Sequence, residues 1–496
     1  MAPPPPHTPP LPDNVTRLRE QHPTIFYKSC DVSADPKGLR LHYHFTISPQ
    51  LEFTPQILIP LEDPKHAETV SRAPVVQRLA FLIGMVELLS YWKLCCPPKI
   101  EVEAGYLSDD ELPFWEGLLR RGLGEFFYLN HIPPTIDFSI CSSGTKVSNL
   151  SDDSALPAQK PDSYLVLVGG GKDSIVTLEL LGRSLTDLGS RVGSFSVNPI
   201  PASLEAIRTA HYPAPLIAER TIDPRLIELN SQGYLNGHTP FSALLAFIST
   251  LTAYLNGYHC VLASNEASAS EGNTEFHGVE INHQYSKSFE FEKLFREYIS
   301  KLDLPVEYVS FLRPLNELQI CALFSDMPSY HKIFRSCNRE QTQAARSRLS
   351  HPISSANQPI RHGWCADCPK CVFTFLCLRT FLSQQHIHDI FGTDPSLQPN
   401  FSTLVAALAG FSEHKPFECV GTYEEVRSCL LYLMEHQRIT FPSSEICAEI
   451  HRRILLSAPQ PLHVLLNSWN NSHFLDSSLE ALLRRALEAT QRRIAP

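Results

Sequence analysis

The chain predicts an α/β fold built on a doubly wound parallel sheet, and three observations predict it. Ser163 opens a continuous apolar run, YLVLVGG, of the kind that forms a strand covered on both faces. From there to about residue 311, strand-like and helix-like segments alternate, which is the pattern of stacked βαβ units. The glycines that close the first strand run directly into KDSIVTLELLGRSL, a segment with helical spacing of apolar residues. Around this centre the sequence adds an N-terminal α+β domain, a Cys-rich metal segment and C-terminal helices.

In chain order, residues 1–20 begin with MAPPPPHTPPLP and are expected as an extended, disordered Pro-rich tail. Residues 21–150 form the α+β domain. LRLHYHFTI alternates as a half-buried antiparallel strand, Val75 to Trp92 reads as a helix with a broad apolar face, and Phe114 to Phe127 reads as another. Ser148 to Asp162 is polar, contains proline and reads as a linker. The nucleotide-binding domain is expected over 160–335, with strands near Gly193–Val197, Pro215–Ala218, Cys260–Ala263 and Val306–Phe311. Its helices are expected from Phe241 and over Phe289–Leu302. Gln341 to Pro359 reads as a loop inside a cysteine-bearing region, 336–410, and residues 411–496 are helical.

Composition narrows the function. Charged residues are 19% and hydrophobic residues 43%, so the chain buries a core and is not largely disordered. Lys and Arg number 42 against 52 Asp and Glu, a net charge of -10, which disfavours a non-specific nucleic-acid binder. No run of about 18 apolar residues marks a membrane span. The best candidate, Phe241 to Leu255, is interrupted by Ser242, Ser249, Thr250 and Thr252 and reads as a buried helix. With no secretory signal at the start, the 14 cysteines are expected as reduced thiols in a cytoplasmic protein.

Gly169-Gly170-Gly171-Lys172-Asp173-Ser174 stands between a strand and a helix. Glycines let backbone N–H groups close on an anion, the helix start points its positive end the same way, and Lys172 and Ser174 add a cation and a hydroxyl. A Walker A loop would need glycine at Val166 and Ser or Thr at Asp173, and a dinucleotide fingerprint would need glycine at Ser174, so neither fits. The alternative is an ordinary glycine-rich strand–helix turn.

Cys365, Cys368 and Cys371 form C-x2-C-x2-C, with Cys337 upstream. Four thiolates suit a closed structural Zn²⁺ site, or an iron–sulfur cluster, although the ferredoxin continuation is absent; the third reading has no metal. The other ten cysteines are expected in the core. A third constellation, Ser264-Asn265-Glu266-Ala267-Ser268, the loop Glu271–Glu275 and the stretch Ile281 to Glu290, is too polar for a connector. It follows the carboxyl end of a strand, where such a sheet binds its ligands.

The glycine hexapeptide resembles the loop of the PP-loop ATP pyrophosphatase superfamily (adenine nucleotide α-hydrolase-like), Ser-Gly-Gly-x-Asp-Ser, with Gly169 replacing the serine. The resemblance implies that the loop holds the pyrophosphate leaving ATP. Asn198-Pro199 then lies where that fold puts the nucleoside, or is a plain turn. Some of these enzymes, such as 7-cyano-7-deazaguanine synthase, also follow the ATP domain with a four-cysteine zinc site. GGGKDS, ArgSerCysAsn at 335–338, WCADCPKC and GlyLeuGlyGluPhePheTyrLeuAsn at 122–130, with the 264–290 constellation, together resemble one family. It is the UDP-N-acetyl-α-muramoyl-L-alanyl-L-glutamate epimerase family of peptidoglycan (cell wall) biosynthesis, and the likeness runs from about residue 24 to 410.

That resemblance implies an isomerase. ATP, with Mg²⁺, adenylates the terminal L-Glu carboxylate of UDP-MurNAc-L-Ala-L-Glu or a related acidic peptide. The α-carbon inverts to D-glutamate, and AMP and pyrophosphate are released. Lys172 and Asp173 belong to the catalytic loop, Asp173 placing Mg²⁺, capping the helix or both. Glu266, His283 and Lys287 are candidates for proton transfer or carboxylate binding, each with a structural alternative: a turn cap, a hydrogen-bonded histidine and a solvated charge. Cys260 and Cys321 are further candidates, because cofactor-independent racemases often use cysteine bases. The rivals are another AMP-forming enzyme (ligase, amidotransferase or base-modifying synthase) and a non-catalytic binding protein. The expected partner is a small molecule, with neither nucleic acid nor membrane, and the oligomeric state is open.

Overall fold

A computed structural model of the chain describes residues 9–144, 160–185, 189–337, 363–441 and 443–494. The start of the Pro-rich tail, most of the linker at 148–162 and the loop at 341–359 lie outside the described residues.

The fold is α/β on a mixed, mostly parallel sheet. Its strands are β1 (Thr24–Asp35), β2 (Gly38–Ile47), β3 (Leu51–Phe53), β4 (Gln56–Pro60), β5 (Lys99–Val102), β6 (Ser139–Ser142), β7 (Lys160–Leu167), β8 (Arg191–Val197), β9 (Leu216–Thr221), β10 (Tyr258–Ala263) and β13 (Glu307–Ser310). They lie in the order β13-β10-β7-β8-β9-β4-β2-β1-β5-β6, with β3 pairing β2. β11 (Thr274–Phe276) and β12 (Val279–Ile281) form a separate hairpin.

The second half, β13-β10-β7-β8-β9, is parallel throughout. Chain order reverses between β7 and β10, so the crevice beyond their carboxyl ends is the topological switch point where such sheets bind ligands. β7 is buried from Ser163 on and alternates with nothing, as its apolar sequence requires. β7 begins at Lys160, earlier than expected, so the last residues of the expected linker are already strand.

The N-terminal unit and this half were expected as separate domains, yet they share one sheet. β4 pairs antiparallel with β9, Leu58 opposite Glu219. The join is reinforced from β9, where Arg220 reaches the fully buried Glu87 of the helix Pro74–Trp92 with two bonds of 2.8 and 2.9 Å. A paired fork of this geometry compensates a charge that would be costly to bury alone.

Three further expectations change. Asp13–Gln21 is a helix, with Val15 and Leu18 in the core, so the described part of the expected tail is ordered from Asp13. The segment at 114–127 is two helices, Leu112–Gly122 and Gly124–Leu129. Among the described residues, the helix long and apolar enough to cross a membrane is Pro74–Trp92 rather than Phe241–Leu255; its mean hydropathy reaches 1.3, and 89% of that window is buried, as a core helix is. The helices Pro369–Phe381, Tyr423–Glu435, Ser444–Ser457 and Ser477–Ile494 build a second apolar core against Glu317–Ser325 and Lys172–Leu185.

Candidate active site

The glycine loop lies at the carboxyl end of β7. Gly170 has φ +86°, and a Cβ there would sit 2.8 Å from the backbone nitrogen of Ser203, so only glycine fits. Gly169 faces open space. The helix Lys172–Leu185 starts at once, which presents its free N–H groups to the crevice. Ser174 closes the first turn by donating to the Gly171 carbonyl at 3.0 Å. Thr177 receives a 2.8 Å hydrogen bond from Ser264, which ties this helix to the end of β10 across the switch point.

Lys172 turns inward. It is 2% exposed, and its Nζ is ion-paired with both Asp173 and Glu317. Glu317 opens the helix Glu317–Ser325, whose N-cap Asn316 makes a reciprocal box with Gln319. Glu266, buried at the end of β10, faces the same group. Burial works against the charge on Lys172, but Asp173 and Glu317 outweigh it and hold the ammonium far above its usual range. Burial would likewise raise Asp173, yet Lys172, Lys370 and Lys287 lower it. Glu266 is raised by burial and by Asp173, and Glu317 by burial first, with Asp173 and Glu266 adding to it. Burial and the mutual repulsion of the carboxyls thus bias Glu266 and Glu317 toward their protonated forms, against the pull of the neighbouring lysines.

Glu266 and Lys287 are held by a residue not singled out from the sequence. Arg313, fully buried, donates to the carbonyls of Glu266 and Lys287, both at 2.5 Å, and pairs with the buried Glu292 at 3.0 Å. One guanidinium thus fixes the spacing of two functional loops, which the five donors of arginine make feasible.

Lys287 reaches toward Cys419, with its Nζ 3.2 Å from the sulfur. His283 acts electrostatically on that sulfur, and its Nδ1 is bonded to Glu125, from the quoted 122–130 segment. Lys370, between Cys368 and Cys371 and itself buried, donates to the Cys419 carbonyl. Burial would raise the Cys419 thiol, but Lys287, His283 and Lys370 pull it well below its usual range. Burial opposes charge on His283, while Cys419 and Glu125 overcome it and raise the ring to about 9. Lys287 is raised, by Cys419 first and then by Glu266 and Asp173 against the effect of burial. His238, 3.6 Å from Glu125, goes the other way, pushed down to about 3 by burial and by His283.

The remaining sequence candidates are placed as follows. Asn198 spends its side-chain amide on both backbone groups of Arg220, at 2.7 and 3.0 Å, and so locks β8 to β9. Cys260 is a core thiol that burial pushes up, and Cys321 is fully buried. Of the ten other cysteines expected in the core, Cys95, Cys96, Cys260, Cys321, Cys377 and Cys429 are buried, Cys30, Cys419 and Cys447 are half-buried and Cys141 is exposed; Cys419 differs from the rest in facing cations. Its signal in the sequence was faint: a cysteine among charged residues in HKPFEC, with no apolar periodicity around it.

Cys337, Cys365, Cys368 and Cys371 converge, with all four sulfurs within 4.8 Å of one another. The sulfur of Cys371 is 3.5 Å from Cys368 and 3.7 Å from Cys365. A tetrahedral ion about 2.3 Å from each sulfur sets them roughly 3.8 Å apart, so the donor set fits a metal ion. The knot is coupled to the glycine loop: Arg335 N, two residues before Cys337, donates to the Gly170 carbonyl at 2.9 Å. A cleft of about 580 Å³ lies elsewhere, but its Arg78 and Glu111 are already paired with each other.

Comparison with known proteins finds relatives over most of the chain. The MurL N-terminal domain matches residues 16–311 and the MurL C-terminal domain matches residues 333–457. The protein named UDP-N-acetyl-alpha-D-muramoyl-L-alanyl-L-glutamate epimerase in Micromonospora sp. is 35% identical over 393 residues, 78% of this chain and 81% of its own length. Its namesake in Salinispora tropica is 35% identical over 75% of this chain and 76% of its own length. The one in Xanthomonas oryzae pv. oryzae is 33% identical over 84% and 86%. No solved structure matches. Both matched domains supply residues to the same buried cluster, Lys172, Glu266 and Lys287 from the first and Lys370 and Cys419 from the second, and the chain belongs to the MurL family.

Proposed function

We propose that the protein is an ATP-consuming epimerase that inverts the terminal L-glutamate of UDP-MurNAc-L-Ala-L-Glu, the substrate its relatives' names state. The observation that carries the reading is the cluster of Lys172, Lys287 and Lys370 with Asp173, Glu266 and Glu317 at the carboxyl ends of β7 and β10. The chemistry asks for such a place. The α-proton of a carboxylate is very weakly acidic, because its removal sets a second negative charge beside the first. Joining the carboxylate to AMP cancels the first charge.

In this reading the fold is of the PP-loop type. Gly169 to Ser174 cradle the phosphates, Asp173 orients the Mg²⁺ that ATP brings, and the nucleoside lies near Asn198. The terminal carboxylate attacks the α-phosphorus and pyrophosphate leaves. Lys287 and Lys370 neutralise the incoming carboxylates and phosphates, and Glu266, biased toward its protonated form, is an acid for returning a proton to the α-carbon. Water then cleaves the adenylate. The four-cysteine knot would hold Zn²⁺, since its sulfurs lie near enough to one another to share a single ion, nearer than the wider faces of an iron–sulfur cluster need. When bound, the ion neutralises thiolates and fixes the chain that crosses the glycine loop.

The test is incubation with ATP, Mg²⁺ and the UDP-linked dipeptide in D2O, followed by chiral analysis of glutamate. D-Glutamate carrying deuterium at the α-carbon, with AMP and pyrophosphate formed, is expected. A heavier, ligated product or inversion without ATP use would overturn the reading. Asp173→Asn should lower turnover by about a hundredfold or more.

A further inference from the structure

Cys419 belongs to no spacing motif and is not one of the four clustered cysteines. It sits in the irregular stretch between the helices Phe401–Leu408 and Tyr423–Glu435. That stretch is fastened to the polar loop at 271–283: Lys415 N donates to the Asn273 carbonyl at 3.1 Å, Asn273 Nδ2 donates to Pro416 at 2.8 Å, and Asn273 Oδ1 receives the His283 N–H at 2.8 Å. The chain segments that carry Cys419 and His283 are therefore held by one network.

The surroundings are unusual for a core cysteine. Lys287 lies 3.2 Å from the sulfur, the His283 ring favours its charge, and Lys370 holds the residue's own carbonyl. Glu125 fixes the far side of His283. Among the described residues Glu418 also faces the sulfur, held toward neutrality by burial, while His238 shares Glu125 and is pushed toward its neutral form by burial and by His283. Every strong partner thus favours sulfur as the anion. Lys287 is also coupled electrostatically to Glu266 and Asp173, so the sulfur borders the adenylation cluster. The residue is half-buried, whereas Cys321 is fully buried.

The geometry points to Cys419 as the base that takes the α-proton, an assignment that rests on the epimerase reading. The Cα–H bond breaks and an S–H bond forms. The electron pair passes into the carbonyl group of the acyl adenylate as an enolate, facing the ammonium of Lys287. A second acid, exchanging with solvent, returns a proton to the opposite face, and the Cys419 thiol gives its proton to water. His283 and Glu125 are positioning residues, since they act on the sulfur and not on the substrate.

The experiment separates the two halves of the reaction in D2O with ATP, Mg²⁺ and UDP-MurNAc-L-Ala-L-Glu. In Cys419→Ser and Cys419→Ala, deuterium incorporation at the α-carbon should fall by about a thousandfold. Pyrophosphate formation should stay within about tenfold of the unsubstituted enzyme, because adenylation does not use the sulfur. Deuterium incorporation within tenfold of the unsubstituted enzyme overturns the assignment, and so does a covalent acyl adduct on Cys419, which would make it a nucleophile.

If the unsubstituted enzyme forms no pyrophosphate with this peptide, the epimerase reading fails, and the thiolate is judged independently. Peptide mass spectrometry after iodoacetamide at pH 6 should show Cys419 alkylated at least about tenfold faster than the exposed Cys141, with the advantage lost in Lys287→Met. Equal rates overturn the assignment. A second bound metal equivalent that disappears in His238→Ala also overturns it, because His283 would then hold a metal and not the sulfur.

Discussion

Five cysteines gather in one part of this molecule and meet opposite surroundings. In the knot of Cys337, Cys365, Cys368 and Cys371, sulfur faces sulfur. At Cys419, sulfur faces Lys287, His283 and Lys370. A thiolate among thiolates needs an ion to be stable, and a thiolate among ammonium and imidazolium groups does not. The same side chain is therefore a strut in one place and a reactive group in the other. Lys370, between two knot cysteines and bonded to the Cys419 carbonyl, joins the two regions.

The comparison breaks most visibly at the knot. Cys368→Ser should lose the bound metal and, through Arg335 and the Gly170 carbonyl, cut both half-reactions to below about 1%, with metal analysis and pyrophosphate release as readouts. Normal adenylation in a metal-free variant would show the two regions to be independent.

Lys287→Met should be next in size. Deuterium exchange should fall on the order of a hundredfold, and the acidic limb of its pH profile should move upward toward the range of an ordinary thiol. An unmoved limb would mean that Lys287 does not hold the sulfur's charge. Glu125→Gln should shift that limb the same way with a loss of only about tenfold, because it weakens the His283 charge and leaves Lys287 in place.

The smallest effect is on stability. His283 has a raised folded pKa, so its contribution is complete below about 6.5 and fades as pH rises toward about 9. Cys419 has a depressed folded pKa, so its contribution is present above about 8.5 and is lost as pH falls through the lower folded value. Between roughly 6.5 and 8.5 the two slopes oppose each other, because folded and unfolded chains bind equal numbers of protons. Urea midpoints should be flat there for this pair. In Cys419→Ser the two slopes should weaken together, because the His283 ring loses Cys419, the first of its raising partners, and keeps Glu125 against burial; the profile should stay flat to within about 1 kcal/mol across that window. A larger fall would mean that Glu125 alone holds the His283 charge.

The elements of the second half were legible because each carries its own period: the apolar run of β7, the helix after Gly171 and the strand at Cys260–Ala263. Gly169–Ser174 could be placed for the same reason, since a loop between strand and helix is a local feature. The inward turn of Lys172 was not legible, because Glu317, its partner, lies 145 residues away. Arg313 was silent in the same way: its use is to hold two carbonyls, and a carbonyl has no identity in a sequence. Cys419 acquires its character wholly from residues brought by other segments. The four-cysteine spacing, by contrast, announced itself, because short spacers alone bring three sulfurs together.

The pairing of β4 with β9 bears on how the protein can be divided. A fragment beginning near residue 160 would keep the glycine loop, but it would bare the outer backbone groups of β9 and strand Arg220 without Glu87. An open strand of that kind recruits other chains. Such a piece is expected to precipitate rather than bind nucleotide, so a minimal version for crystallisation or engineering has to retain the segment through residue 144, Glu125 included.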